Sequence, residues 1–133
     1  MPAHHSETPL AKQLNLRDGQ RVWFDAMPDS VQEEIAEYAL ELIFVREPEE
    51  GVDAAHVFVT DRSDLAAQLS RLRECVASDG QIWVSWSQSA APPQITADTV
   101  CEMGKPLGLV ATKEFTINDK WTALKLVVRK DLR

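Results

Sequence analysis

The chain has 133 residues, a formal net charge of −7 and 44% hydrophobic residues, which is typical of one soluble globular domain. This hydrophobic content excludes a disordered chain, and the acidic balance argues against a nucleic-acid binder, which needs a basic surface. No apolar stretch reaches the roughly 20 residues that span a bilayer, so no membrane association is expected. Residues 1–8 lack a secretory signal pattern and are expected to form a flexible tail. Cys75 and Cys101 are too few for a disulfide framework, which favours a cytoplasmic location.

The first half of the chain alternates between helical and strand patterns. Residues 9–16 favour a short helix or turn, and residues 22–26 form an apolar run that predicts the first strand. The next helix begins where Ser30 and Glu33 have the spacing of a capping box. Its apolar stripe overlaps residues 40–45, which we interpret as a second strand.

The second half continues the same alternation. Residues 56–60 predict a buried strand, and either Asp61 or Ser63 can cap the helix that runs to about residue 77. The remaining predicted elements are a turn at 79–80, a strand over 82–86, a loop over 87–94, a helix from Thr96 that Pro106 ends or kinks, and a hairpin of residues 109–117 and 121–128.

This order predicts a single α/β domain over residues 1–133, with a mostly parallel Rossmann-like sheet and helices on both faces. The C-terminal antiparallel hairpin resembles the end of the class I S-adenosylmethionine-dependent methyltransferase fold. The segment between Val45 and His56 is too short to hold one further helix–strand unit of that fold. We therefore predict a truncated methyltransferase-like fold.

Several segments also resemble the signature segments of a bacterial family of unknown function, number 3052. These segments are Thr8–Lys12, Gly19–Val22, Ile82–Trp86, Gly108–Val110 and Trp121–Leu124. The resemblance runs from Thr8 to Arg129 and implies the same fold and a cytoplasmic protein. It implies no catalytic residue.

The turn after the first strand decides whether a nucleotide can bind. Residues 25–30 contain no glycine, and the helix that follows begins with carboxylates that repel a phosphate. S-adenosylmethionine depends less on phosphate geometry, and Asp25 can meet its amino group. A methyltransferase, or another small-molecule-binding enzyme with a pocket at the carboxyl ends of the strands, is therefore the alternative function. The side chains predicted to line that pocket are Asp25, Met27, Asp61, Ser85, Trp86 and Ser87.

Charge placement favours a different function. Residues 29–53 carry a net charge of −8, and the rest of the chain sums to +1. Such a run is commonly a solvated face, but Glu33, Glu34 and Glu37 on one helix also suit a basic protein partner or the basic tail of a second copy. We predict a non-catalytic binding or interaction protein, monomeric or weakly dimeric. Its partner is an unidentified protein or small molecule, and no cofactor, metal or catalytic residue is predicted.

Overall fold

The structure is a computed structural model that describes residues 8–88 and 94–133. The predicted tail and most of the predicted loop fall on residues 1–7 and 89–93, which lie outside the described residues. The α-helices are α1 (Leu10–Gln13), α2 (Asp29–Ala36), α3 (Arg62–Cys75) and α4 (Ala97–Gly104). The strands are β1 (Arg21–Asp25), β2 (Ile43–Phe44), β3 (Val52–Val59), β4 (Val76–Ser87), β5 (Leu109–Thr116) and β6 (Trp121–Val128). A search of the described helices for a membrane-spanning segment found none.

The six strands of the described chain form one sheet in the order β2-β1-β3-β4-β6-β5. Strands β2, β1, β3 and β4 pair in parallel, and β6 pairs antiparallel with both β4 and β5. The predicted mostly parallel sheet with a C-terminal hairpin is confirmed. Between β2 and β3 the chain makes only a 3₁₀ turn, Pro48–Glu50, so β2 is left at the edge of the sheet.

The two faces of the sheet carry separate hydrophobic clusters. Helices α3 and α4 cover one face, where Leu65, Leu69 and Val100 are fully buried against β3, β4 and β6. Helices α1 and α2 cover the other face, where Leu14 and Val31 pack with side chains of β1, β3 and β4. The prediction of helices on both faces is therefore confirmed.

Two of the four described α-helices, α3 and α4, begin with a side-chain cap. Asp61 caps α3 by accepting the Asp64 amide at 2.8 Å, and Thr96 forms a capping box with Thr99 at the start of α4. The predicted cap at Ser30 is wrong, because Pro28 occupies the N-cap position of α2 and no side chain caps it. Ser30 already lies inside the first helical turn.

Helix α2 is shorter than its apolar stripe predicts. It ends at Ala36, and the chain then reverses through Ala39, which has a left-handed φ of 54°. This reversal places Tyr38 in solvent and shortens the predicted strand over 40–45 to the two residues of β2. Tertiary packing of the reversed chain overrides the helical spacing of the sequence here.

The predicted turn at 79–80 is also wrong, because β4 begins directly after α3 and runs without interruption to Ser87. Val76 pairs with Val52 and Gln81 pairs with Ala54, so β4 takes up its extra residues as a bulge. Gly80 lies in that bulge, where a β-carbon would come within 2.7 Å of the Asp53 carbonyl oxygen. The glycine therefore serves a close approach of two strands rather than a turn.

Candidate functional site

Asp25 and Asp61 lie at the carboxyl ends of the adjacent parallel strands β1 and β3. The Asp25 carboxylate accepts a hydrogen bond from Gln68 Nε2 at 2.7 Å, and the Asp61 carboxylate caps α3. Burial raises the pKa of the neighbouring Asp64, and the charges of Asp25 and Asp61 raise it further. Both carboxylates of the predicted site therefore bond to α3. These bonds help to hold the helix against the sheet.

Trp86 and Ser87 come together at the end of β4. With Val59, Thr60 and Ile95 they line a cavity of about 60 Å³ in the described part of the chain. Small-molecule sites have volumes of about 300 to 1,000 Å³. The described residues here enclose too little space for a substrate.

Met27 and Ser85 belong to a different part of the molecule. Met27 is buried among the side chains beneath α1 and α2, on the face of the sheet opposite Trp86. Ser85 is fully buried, and its Oγ lies 2.7 Å from His56 Nε2 inside the sheet. The structure therefore does not bring these two residues together with the other predicted pocket residues.

The turn between β1 and α2 has an unusual backbone. Ala26 adopts a left-handed φ of 56°, a conformation that glycine adopts without strain. Dinucleotide-binding turns use glycine at such positions so that a phosphate can approach the backbone closely. At this left-handed position the chain has alanine in place of glycine.

An apolar groove lies between α2 and β2, with a volume of about 380 Å³. We call it the α2–β2 groove. Its apolar walls are formed by Phe24, Ile35, Ala36, Leu40, Leu42 and Phe44. The rings of Phe24 and Phe44 meet edge to face with their centroids 5.6 Å apart. Sequence reasoning missed this groove, although the apolar run over residues 40–45 and the missing helix–strand unit were its signals.

Strand β2 presents an unpaired backbone edge beside this groove. The Ile43 amide donates to the Gln20 carbonyl at 2.9 Å, and the Val45 amide donates to the Val22 carbonyl at 3.1 Å. Because backbone groups alternate along a strand, the N–H and C=O of Phe44 point away from β1. The Phe44 side chain is 65% exposed, so both backbone and side chain are open to a partner.

The predicted acidic face borders the groove. Glu33 lines it, and Glu34 and Glu37 lie on or at the end of the same helix. None of the three forms an ion pair within the part of the chain that the structure describes. We call Glu33, Glu34 and Glu37 the negative rim; of these three, Glu33 is the residue that lines the groove.

His56 is a strongly perturbed titratable group, and its only signal in the sequence is its place in a predicted buried strand. Its ring is 1% exposed and stacks on Phe58 with a centroid distance of 4.6 Å. Burial lowers its pKa to about 3, and its Nδ1 has no hydrogen-bond partner among the described residues. No group of side chains in the described residues is arranged to hold a metal ion. His56 is therefore a neutral core residue.

Solved structures similar to this chain share its fold. The ribosomal protein L11 methylase from Lactobacillus delbrueckii subsp. bulgaricus is 9% identical, with a TM-score of 0.55 over 90% of this chain and 74% of that chain. The TehB-like SAM-dependent methyltransferase from Corynebacterium glutamicum ATCC 13032 Kitasato is 6% identical, with a TM-score of 0.53 over 96% of this chain and 91% of that chain. The TM-scores show a shared methyltransferase-like fold, and at identities this low the similarity extends to the fold alone.

Sequence comparison identifies the family. No curated protein sequence matches the chain. A family model described as "Protein of unknown function (DUF3052)" matches residues 11–130, which confirms the resemblance seen in the sequence segments. The chain therefore belongs to the DUF3052 family of proteins of unknown function.

Proposed function

We propose that this protein is a non-catalytic interaction protein that binds an extended, basic segment of a partner protein. The segment lies along the open edge of β2 and places apolar side chains in the α2–β2 groove. The observation that carries the proposal is the exposure of Phe44 at a sheet edge that has lost its neighbouring helix–strand unit.

The backbone of β2 supplies the first part of the recognition. Leu42 and Phe44 direct their N–H and C=O groups away from β1, as the pairing of Ile43 and Val45 requires. An extended chain that adds to such an edge forms main-chain hydrogen bonds without regard to its own sequence. Exposed edges are commonly blunted by shortness, lysine, proline or a bulge; β2 has only two residues, but it carries no lysine, proline or bulge. This supports the addition of a partner strand here.

The groove supplies the second part. In an added strand every second side chain points to the same face of the sheet. The groove lies on the face to which the side chains of Leu42, Phe44 and Phe24 point, so alternate side chains of the partner can enter it. The volume of about 380 Å³ is sufficient for one or two apolar side chains. Burial of one large apolar side chain contributes about 1.5 to 3 kcal/mol, which makes the groove the source of specificity.

Charge selects the partner. The groove belongs to the segment 29–53, which carries a net charge of −8, and Glu33 lines it directly. A basic segment gains favourable long-range attraction and a faster encounter. A second copy of this chain brings the same negative charge to the interface, so pairing of β2 with itself is disfavoured. We therefore name a basic segment of a partner protein rather than a symmetric pairing of two β2 edges.

The strand ends support binding over catalysis. Asp25 accepts a hydrogen bond from Gln68 and Asp61 caps α3, so both carboxylates already serve the placement of that helix, and Ala26 has a left-handed backbone for which glycine is the usual residue. Titration calorimetry with S-adenosylmethionine tests this part, and no heat of binding is expected. Micromolar binding that Asp25→Ala weakens would overturn the non-catalytic assignment and favour a methyltransferase.

A defined peptide tests the interaction itself. The probe is a short fluorescent peptide of alternating lysine and valine, measured by fluorescence polarisation at low salt. Peptides with serine in place of valine, or glutamate in place of lysine, remove the apolar anchors or the charge separately. We expect saturable binding of the lysine–valine peptide alone, weakened by added salt. Equal binding of the serine peptide would overturn the groove as the source of recognition.

Variants of the protein locate the site. Phe44→Ser removes an exposed wall of the groove. The triple variant with lysine at positions 33, 34 and 37 reverses the charge of the negative rim. Both variants are expected to abolish saturable binding. The matched control reverses three exposed acidic residues elsewhere. These control positions are Glu102, Glu114 and Asp119. If the control weakens binding as much as the rim reversal, the peptide senses net charge only, and the proposed site is wrong.

A further inference from the structure

A second cavity lies at the opposite pole of the sheet, at the amino-terminal ends of the parallel strands. It has a volume of about 440 Å³ and lies between the end of α1, the start of β1 and the bulge of β4. The ligands of open α/β sheets bind at the carboxyl ends of the strands, so this cavity is unrelated to that site. It is also separate from the α2–β2 groove, and the two share no lining residue.

The positive groups in this cavity come from several elements. Lys12 belongs to α1, Arg17 to the segment before β1, and Lys125 to β6. Lys113 of β5 lies close enough for its charge to act on Lys125. None of these four side chains forms an ion pair with a carboxylate in the described residues. The cavity therefore collects unpaired positive charge in an acidic protein.

Lys125 is the central group. It is partly buried, and its Nζ donates to Asn15 Oδ1 at 3.1 Å. An ammonium has three N–H donors, so this bond leaves capacity for a ligand. Burial lowers the pKa of Lys125, and the positive charges of Lys113 and Arg17 lower it further. A bound anion would relieve that unfavourable environment.

Two carboxylates also line the cavity. The Asp53 carboxylate accepts the Arg21 amide at 2.9 Å and is held at the sheet by that bond. Asp79 is exposed in the bulge of β4. The cavity is therefore lined by three positive side chains, Lys12, Arg17 and Lys125, against these two carboxylates.

We infer that this cavity binds a small anionic ligand that carries phosphate groups, with Lys125 and Arg17 as its main contacts. Lysine acts as a point charge and arginine as a planar fork toward phosphate oxygens, and the cavity provides both. The side-chain amides of Asn15 and Gln20 line the same space; their oxygens accept from Lys125 Nζ and the Arg17 amide, which leaves their NH₂ groups as donors toward such a ligand. This inference does not depend on the proposed function of the groove.

Calorimetric titration of the full chain with inorganic pyrophosphate tests the inference. We expect binding that Lys125→Met weakens by about tenfold or more, since it removes a charged hydrogen-bond donor. Asp79→Asn is expected to strengthen binding, and Lys130→Met, an exposed lysine outside the cavity, is expected to leave it unchanged. Equal effects of the Lys125 and Lys130 variants, or no binding of pyrophosphate, would overturn the inference.

Two further measurements test the contact with Lys125 and the preference for phosphate. The pKa of Lys125, followed by NMR in the wild-type protein, is expected to rise when pyrophosphate is added, and an unchanged value would overturn its role as the contact. Citrate provides the carboxylate comparison. If citrate binds as tightly as pyrophosphate, the site recognises anions in general and the assignment to phosphate is wrong.

Discussion

The buried His56 makes a quantitative prediction about stability. Its pKa is about 3 in the folded chain, against an ordinary value of 6.5, because burial disfavours the charged ring. Above about pH 6.5 the ring is neutral in both the folded and the unfolded chain. Below this pH only the unfolded chain takes up a proton, so the free energy of unfolding falls as the pH falls toward the folded pKa.

The magnitude follows from the two pKa values. Each pH unit between them costs about 1.4 kcal/mol, so acidification from about pH 7 to about pH 5 removes about 2 kcal/mol. Domains of this kind have total stabilities of about 5 to 15 kcal/mol, so the loss is readily measured. The assay is urea unfolding at both pH values, followed by circular dichroism or tryptophan fluorescence.

The variant His56→Gln supplies the control. Glutamine has no proton to take up in this range, and its amide suits the hydrogen bond to Ser85 Oγ that His56 Nε2 makes at 2.7 Å. All other titrating groups are common to both proteins and cancel in the difference. The wild-type protein is expected to lose about 2 kcal/mol more than the variant. Equal losses would show that His56 is protonated in the folded chain, which would refute its placement in the core.

Three other substitutions test local features by urea unfolding. Gly80→Ala is expected to destabilise by about 1 to 3 kcal/mol, because the new β-carbon meets the Asp53 carbonyl oxygen at 2.7 Å; a neutral result would contradict the bulge geometry. Thr96→Ala removes the side chain that accepts the Thr99 amide at 3.3 Å and is expected to cost about 1 kcal/mol; no cost would argue against this cap. Phe44→Ser is expected to cost only about 0.5 to 1.5 kcal/mol, because the side chain is 65% exposed and loses its edge contact with Phe24; a loss of about 3 kcal/mol or more would show that Phe44 belongs to the core.

Features governed by local chemistry were predictable from the sequence. The Thr96 cap and the hairpin around Asn118, whose Oδ1 accepts the Lys120 amide at 2.8 Å, depend on residues close in the chain. The sheet could be predicted because buried strands have continuous apolar runs, as at residues 56–60. The missing helix–strand unit followed from the resemblance to the methyltransferase fold and from the shortness of the segment between Val45 and His56.

Features governed by tertiary contacts were not predictable. The chain reverses after α2 through Ala39, whose left-handed backbone is not signalled by a glycine in the sequence. The role of Gly80 depends on the neighbouring strand β3, which is distant in sequence. The α2–β2 groove forms only when the chain reverses and places Phe44 against Phe24. The sequence identified the acidic residues of α2 but not the groove beside them, because its apolar walls come from β1, α2 and the segment around β2, which meet only in the folded chain.

Amide hydrogen exchange at Phe44 tests the central claim most directly. In the free protein the Ile43 and Val45 amides are bonded to β1 and are expected to be protected, whereas the Phe44 amide is expected to exchange rapidly. Saturation with the lysine–valine peptide is expected to protect the Phe44 amide, because an added strand accepts its hydrogen bond. If the peptide saturates the protein and exchange at Phe44 is unchanged, the partner does not bind along β2 and the proposed function is contradicted.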